Sequence, residues 1–133
     1  MSRIVSFEER HSPPKSDSIH LAKDTATAAL TIHKFQDNGH FVVYMPALNL
    51  SAYGETAKEA TDRLVHEVLD DFFENLLAMK PEQANKELQK LGWSRNKLFK
   101  KQFRANSYVD RSGVLKNFNL PEETKVETTV VTV

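Results

Sequence analysis

The spacing of apolar residues changes twice along this chain, and each change marks an element. Two runs rich in apolar and β-branched residues, Ala26 to Phe35 and Phe41 to Met45, flank Gln36-Asp37-Asn38-Gly39-His40. An Asn-Gly pair between such runs predicts a hairpin, because both central residues of the tight turn take positive φ. With Asn38 and Gly39 at the centre, Ile32 faces Met45, Lys34 faces Val43 and Gln36 faces Phe41. Ala28, Leu30, Ile32, Phe41, Val43 and Met45 then share one face. The reverse face carries Thr31, His33, Phe35, Val42 and Tyr44 and is too apolar for water. A second cover is expected, from the C-terminal part of this chain or from a symmetry mate, which makes Phe35, Val42 and Tyr44 the candidate oligomer interface. His33 opposite Tyr44 reads as a structural pair.

Pro46 cannot donate to a ladder and ends the second strand, after which Leu48, Leu50 and Ala52 alternate with Asn49, Ser51 and Tyr53 as a short third strand. Gly54 supplies a turn. Thr56 and Glu59 form a Thr-x-x-Glu capping box that starts a helix at about Ala57. In that helix apolar residues come as pairs every four positions: Leu64 and Val65, Val68 and Leu69, Phe72 and Phe73, Leu76 and Leu77. Each step overshoots a turn by about 40°, so the stripe rotates and widens. The later pairs need further cover, expected from Leu88, Leu91 and Trp93 on a short helix that opens at Pro81 and closes at Gly92. Ser94 to Arg104 is read as able to add a helical turn or two. Residues 106 to 122 read as loop with a turn at Asp110 to Gly113, and the terminal KVETTVVTV as a strand that joins the sheet or swaps onto a neighbour. Residues 1–24, with Pro13-Pro14, read as a flexible lead-in carrying at most a short strand at Ile4 to Phe7. The expected fold is α+β, one domain over residues 25–133: a small, mainly antiparallel sheet packed on one long helix, with a second short helix.

Composition narrows the chemistry. The chain has 133 residues and no cysteine, enough for one core and without a disulfide framework or thiolate site. Its five histidines, at 11, 20, 33, 40 and 66, lack the spacing of a helical metal pair, so neither metal nor cofactor is expected. No apolar window approaches the roughly 18 residues of a membrane span, and the N-terminal residues lack the apolar core of a signal peptide, so a cytoplasmic protein is expected. Net charge is zero, but residues 55–79 hold seven acids against Lys58 and Arg63, while residues 80–116 hold ten Lys or Arg against Glu82, Glu87 and Asp110. An acidic part and a basic part suit either a charged partner or two segments that attract each other.

Tyr44, Pro46, Leu48, Gly54, Thr56, Glu59 and Ala60 form an ordered motif: an aromatic strand ending in Tyr-x-Pro, a short apolar segment, a glycine, a threonine and Glu-Ala opening a helix. In this the chain resembles the HicB-like antitoxin family, and Glu87 to Trp93 also looks like a segment that follows the helix in its stand-alone branch. The resemblance spans about residues 26 to 93. It implies a degenerate ribonuclease-H-like fold without catalytic carboxylates, and the strand region from Ala26 to Tyr53 holds Asp37 as its only acid. It also implies binding to a small, basic, mRNA-cleaving toxin of the HicA type. The chain departs from members that carry a fused ribbon-helix-helix or a complete helix-turn-helix.

The leading functional expectation is a non-enzymatic, HicB-like protein that acts by binding another protein. Its candidate docking acids are Glu59, Glu67, Asp70 and Glu74, which a regular helix gathers within an arc of roughly 80° away from the sheet. Taken singly, each of them reads more readily as an ordinary solvated acid than as a docking residue. The first alternative is nucleic-acid binding through Arg95, Lys97, Lys100, Lys101 and Arg104. Residues 83–103 resemble a helix-turn-helix superficially, but Leu88 stands where that motif wants a small residue and Lys101 where it wants an apolar one. The second alternative is a non-catalytic homo-oligomer. Pro46, Gly54, Thr56, Gly92 and Trp93 are read as structural.

Overall fold

Asn38 and Gly39 take φ of 52° and 81°, and the flanking strands pair in the expected register, Lys34 with Val43 and Gln36 with Phe41. The computed structural model describes residues 4–11, 16–105 and 109–133. These form an α+β fold with an eight-stranded sheet, antiparallel at every pairing. Its strands are β1 (Glu8–Arg10), β2 (Asp17–Leu21), β3 (Ala26–Asp37), β4 (His40–Met45), β5 (Leu50–Gly54), β6 (Trp93–Arg95), β7 (Gln102–Ala105) and β8 (Glu127–Thr132). The helices are α1, residues 57–78, α2 (Pro81–Lys90) and α3 (Arg111–Asn117).

Strand β3 organises the sheet. One edge pairs with β8 over residues 29–34. The other pairs first with β2, over residues 26–29, and then with β4, over residues 33–37, so the sheet forks there. At the fork the amide of Thr31 would lack a ladder partner, and a buried acid supplies one: Asp17 Oδ1 accepts from the Thr31 amide at 3.2 Å and from its hydroxyl at 2.8 Å. Burial raises the Asp17 pKa above its ordinary value, against the opposing pull of the Thr31 donors.

On one face Leu30, Ile32, Val43 and Met45 are buried with Ala60, Leu64, Val65, Leu69 and Phe73 of α1 in a single cluster. The Thr56 hydroxyl accepts from the Glu59 amide at 3.0 Å, as the capping motif predicts. Gly54 acts differently from the expected turn. It ends β5, and a Cβ there would lie 2.9 Å from the Ala60 nitrogen, so its bareness lets the helix start hard against the strand.

Within α1, Leu64–Leu69 winds as a π-helix, and the Asp70 amide reaches the carbonyl of Val65, five residues back. The consequence is visible in burial: Ala60 and Thr61, then Leu64 and Val65, then Leu69 and Asp70 are buried, the last step being five residues in place of four. Val68 and Phe72 are left half-buried. A regular stripe therefore predicts the wrong partners beyond Val65, because each π turn takes in an extra residue and delays the face.

Helix α2 opens at Pro81 and is followed by Gly92 at φ 93°. Leu88 and Trp93 join the core as expected, and the Trp93 indole donates to the Ala47 carbonyl at 2.8 Å, tying β6 to the 3-10 turn Pro46–Leu48. The helical extension expected at residues 94–104 is instead the β6–β7 hairpin, with Ser94 opposite Arg104 and Arg95 opposite Phe103. Asn96 decides this: its side-chain oxygen takes the amides of Leu98 and Phe99 at 2.8 and 2.9 Å, a local turn that competes with helix. Phe103 and Ala105 are then buried at strand spacing.

Two further expectations change, and for the back of the sheet one of the two expected covers is found. The lead-in holds two strands, since β1 pairs with β8 and β2 pairs with both β3 and β7; Met1 to Arg3 and Ser12 to Lys15 lie outside the described residues. The loop expected at 106–122 contains α3, whose cap Asp110 accepts from the Gly113 amide at 2.8 Å, while Asn106 to Tyr108 lie outside the described residues. The back of the sheet is covered by this same C-terminal part: Phe118 meets Phe35 and Tyr44 at centroid distances of 4.9 and 5.0 Å, and Val114 is fully buried. Phe35 is thereby withdrawn from any interface between copies. The expected terminal strand is β8, placed between β1 and β3 of its own chain.

His33 lies buried on that back face, with Nδ1 2.8 Å from the Thr128 hydroxyl. Burial holds its pKa below the ordinary 6.5, against the Val109 carbonyl and Asp110, which act to raise it. The unfolded chain protonates His33 near pH 6.5 while the folded one resists, so this contribution is complete above that pH and is lost as pH falls through the depressed folded value. Urea titrations at neutral and mildly acidic pH should show stability falling with acidification, less steeply in His33→Gln. Separately, Trp93→Phe keeps the packing but orphans the Ala47 carbonyl, and should cost about 1–2 kcal/mol in the same assay.

Candidate functional site

The four expected docking acids do not form one face. Arg63 gathers two of them, its Nη2 lying 3.2 Å from Glu59 and its Nε 3.7 Å from Glu67, while its Nη1 donates to the Tyr53 carbonyl at 2.6 Å. Asp70, rotated inward by the π turn, is only 4% exposed. Its Oδ1 accepts from the Ile4 amide at 2.7 Å, and His66, one turn earlier, bonds the Ile4 carbonyl through Nδ1 at 2.9 Å. Asp70 therefore holds the N-terminal segment against α1 and is withdrawn from docking. The fourth, Glu74, is exposed.

What the structure does assemble is Asp70, Asp71 and Glu74, whose carboxylate oxygens lie within 4.8 Å of one another. Asp71 was not anticipated, because the four-residue pattern puts it elsewhere on the helix. Asp71 and Glu74 are exposed, and neither is ion-paired among the described residues. Oxygen donors at this spacing suit a hard cation, or the ammonium or guanidinium of a partner. One of the three, Asp70, is already committed to Ile4.

The five candidate basic residues lie on the β6–β7 hairpin and its connecting loop. Arg95 is spent on Glu82, which it meets through two nitrogens at 2.9 and 3.3 Å; that contact holds the Glu82 pKa below its usual range. Arg104 reaches the Ser16 hydroxyl at 3.2 Å. Lys97, Lys100 and Lys101 are exposed, and between them stand Leu98 and Phe99, 87% and 60% exposed. Residues 93–105 thus present no second helix to a DNA groove. Of the expected back-face interface, Val42 and Tyr44 remain half-exposed, with Tyr44 lying under Phe118.

Several grooves lie against this hairpin. An apolar one of about 530 Å³ lies between Leu21, Leu76, Leu77, Met79 and Phe103. A more polar one of about 450 Å³ lies between α2 and the loop, lined by Asn85, Gln89, Asn96 and Lys97 among others. A further cavity, about 960 Å³, opens near the tip of the β3–β4 hairpin beside residues 123–127. Among the described residues, no helix is long and apolar enough to cross a membrane.

No protein-family model, curated protein or solved structure matches this chain.

Asp70→Ala should release residues 4–11 from α1. Loss of a hydrogen bond to a charged acceptor, with a buried amide left behind, costs about 2 kcal/mol. Hydrogen exchange should show the Ile4 amide and β1 losing protection, whereas Glu74→Gln should leave both unchanged.

Proposed function

We propose that this protein is a HicB-like, non-enzymatic binding module of the cytoplasm, whose partner is a small basic protein of the HicA-like, mRNA-cleaving toxin type. The observation that carries the reading is the pair Asp71 and Glu74, exposed beside Asp70 with their oxygens within 4.8 Å and without a cation among the described residues. Carboxylates this close repel one another, and a lysine or arginine from a partner would relieve that repulsion. A toxin surface that grips RNA must be basic, so the charges are complementary. Glu59 and Glu67, already shared with Arg63, contribute less.

An acidic docking patch near a rim acts mainly on association rate and its salt dependence. The Asp71→Asn, Glu74→Gln double variant should bind a co-encoded small basic protein about tenfold more slowly in surface plasmon resonance, with an unaltered far-ultraviolet circular dichroism spectrum. An equal association rate for variant and wild type across salt concentrations would sink this docking site. If products of flanking genes bind neither protein, the toxin-partner reading fails with it.

A further inference from the structure

The groove between α2 and the β6–β7 loop contains a feature that the fold does not explain. Asn85 is 8% exposed, lines this groove, and its Oδ1 is buried with no hydrogen-bond partner among the described residues. Buried acceptors are nearly always paired, and an orphan costs the full desolvation of the group. The orphan calls for a donor brought from outside. Around it stand two more carboxamides, Gln89 and Asn96, the latter with its oxygen already holding the Leu98 and Phe99 amides, and Lys97 and Lys100 at the loop side. Arg95 also lines the groove but is paired with Glu82, whereas Lys97 and Lys100 form no ion pair among the described residues, although Lys100 lies close enough to act on the charge of Glu82. A volume of about 450 Å³ falls within the range of small-ligand pockets, roughly 300–1,000 Å³.

We propose that this groove and the adjoining loop bind single-stranded nucleic acid, one base entering the groove to donate to Asn85 Oδ1 while phosphates lie on Lys97, Lys100 and Lys101. Every nucleobase carries an N–H donor, and carboxamides, which both donate and accept, are suited to base edges. Phe99 stands exposed one residue before Lys100, where it can stack on a neighbouring base; stacking platforms set among cations are the usual device for single strands. A single strand accounts for the exposed ring, the lysines and the orphan acceptor together. A lipid surface would explain the ring and lysines but brings no donor suited to a polar groove. An acidic peptide would leave the carboxamide cluster and the exposed ring without a planar partner. A duplex keeps its base edges paired and stacked away from the groove.

The test uses the full chain and fluorescein-labelled single strands of about 12 nucleotides, as RNA and as DNA, with the matching duplex, anionic phosphatidylserine vesicles and polyglutamate as competitors. Anisotropy should report binding of one or both single strands, weakening between about 50 and 200 mM salt with a slope of roughly −2 for three lysines engaged. Lys97→Ala with Lys100→Ala should reduce that slope by about 1.4, and Phe99→Ala should weaken binding about tenfold without changing the slope. All three substitutions are at exposed positions, so the fold is kept. Titration of isotope-labelled protein should move the Asn85 side-chain amide resonances. No binding at about 50 mM salt, equal binding of the duplex, displacement by vesicles or polyglutamate alone, or Asn85 resonances that stay fixed would each overturn the proposal. The acidic end of α1 is separate, so the Asp71→Asn, Glu74→Gln variant should bind the strand as wild type does.

Discussion

Strand β3 is hydrogen-bonded along both edges, and the other strands reach the sheet through it. Twelve residues span about 40 Å, long enough for β2 and β4 to share one edge while β8 takes the other. This sharing sets the remaining architecture. Because β2 and β4 diverge, β7 and β6 continue one branch and β5 the other, and α1 packs its apolar side on the face that the branches have in common. The cost of forking is an amide without a ladder partner, at Thr31, and Asp17 meets it with a carboxylate that burial drives toward its protonated form.

With β3 paired on both edges, its two faces become the next constraint. Leu30 and Ile32 point to α1, whereas His33 and Phe35 alternate with them and need their own roof. Val114 and Phe118 provide it from α3 and the residue that follows. The sheet is thus covered on both sides by one chain. Among the described residues, the acidic end of α1 and the β6–β7 hairpin are exposed at the two ends of the charge asymmetry.

Much of this was legible from local pattern. Asn38-Gly39 located the hairpin and its register, Thr56 the helix start, and Pro81 and Gly92 the bounds of the second helix, since each residue has a conformational preference that needs no distant partner. Where the pattern failed, distant contacts decided. Glu8-Glu9-Arg10 has no apolar period, yet it is a strand, because Glu9 stands opposite Val131 and its carboxylate meets Lys34 and Thr129. Arg111-Ser112-Gly113 reads as a turn and is a helix start, with Asp110 as its cap and Val114 anchoring it below. The π stretch is the most instructive miss. Leu64 to Leu69 fits a regular helix equally well, and only the burial of Leu69 and Asp70 together reveals the extra residue that draws Asp70 inward and brings Asp71 beside Glu74. The site residues were correspondingly less legible than the fold. Asp71 needed the helix geometry, and Asn85, an ordinary polar position on an amphipathic helix, becomes informative only when its oxygen is seen to lack a partner.

The placement of β8 has a consequence for the order in which the molecule can form. This strand, residues 127–132, slides between β1 and β3, elements more than ninety residues earlier in the chain. During synthesis the β3–β4–β5 meander and α1 emerge together and can pair through local contacts. The slot beside β3 can be filled only once β8 has been made. Such high contact order slows the final step, and an open edge flanked by Leu30 and Ile32 is the kind of surface on which nascent chains associate wrongly. Pairing of β8 with β1 and β3 thus closes some of the longest sequence separations in the sheet, and it is also what takes the β3 edge out of reach of other chains.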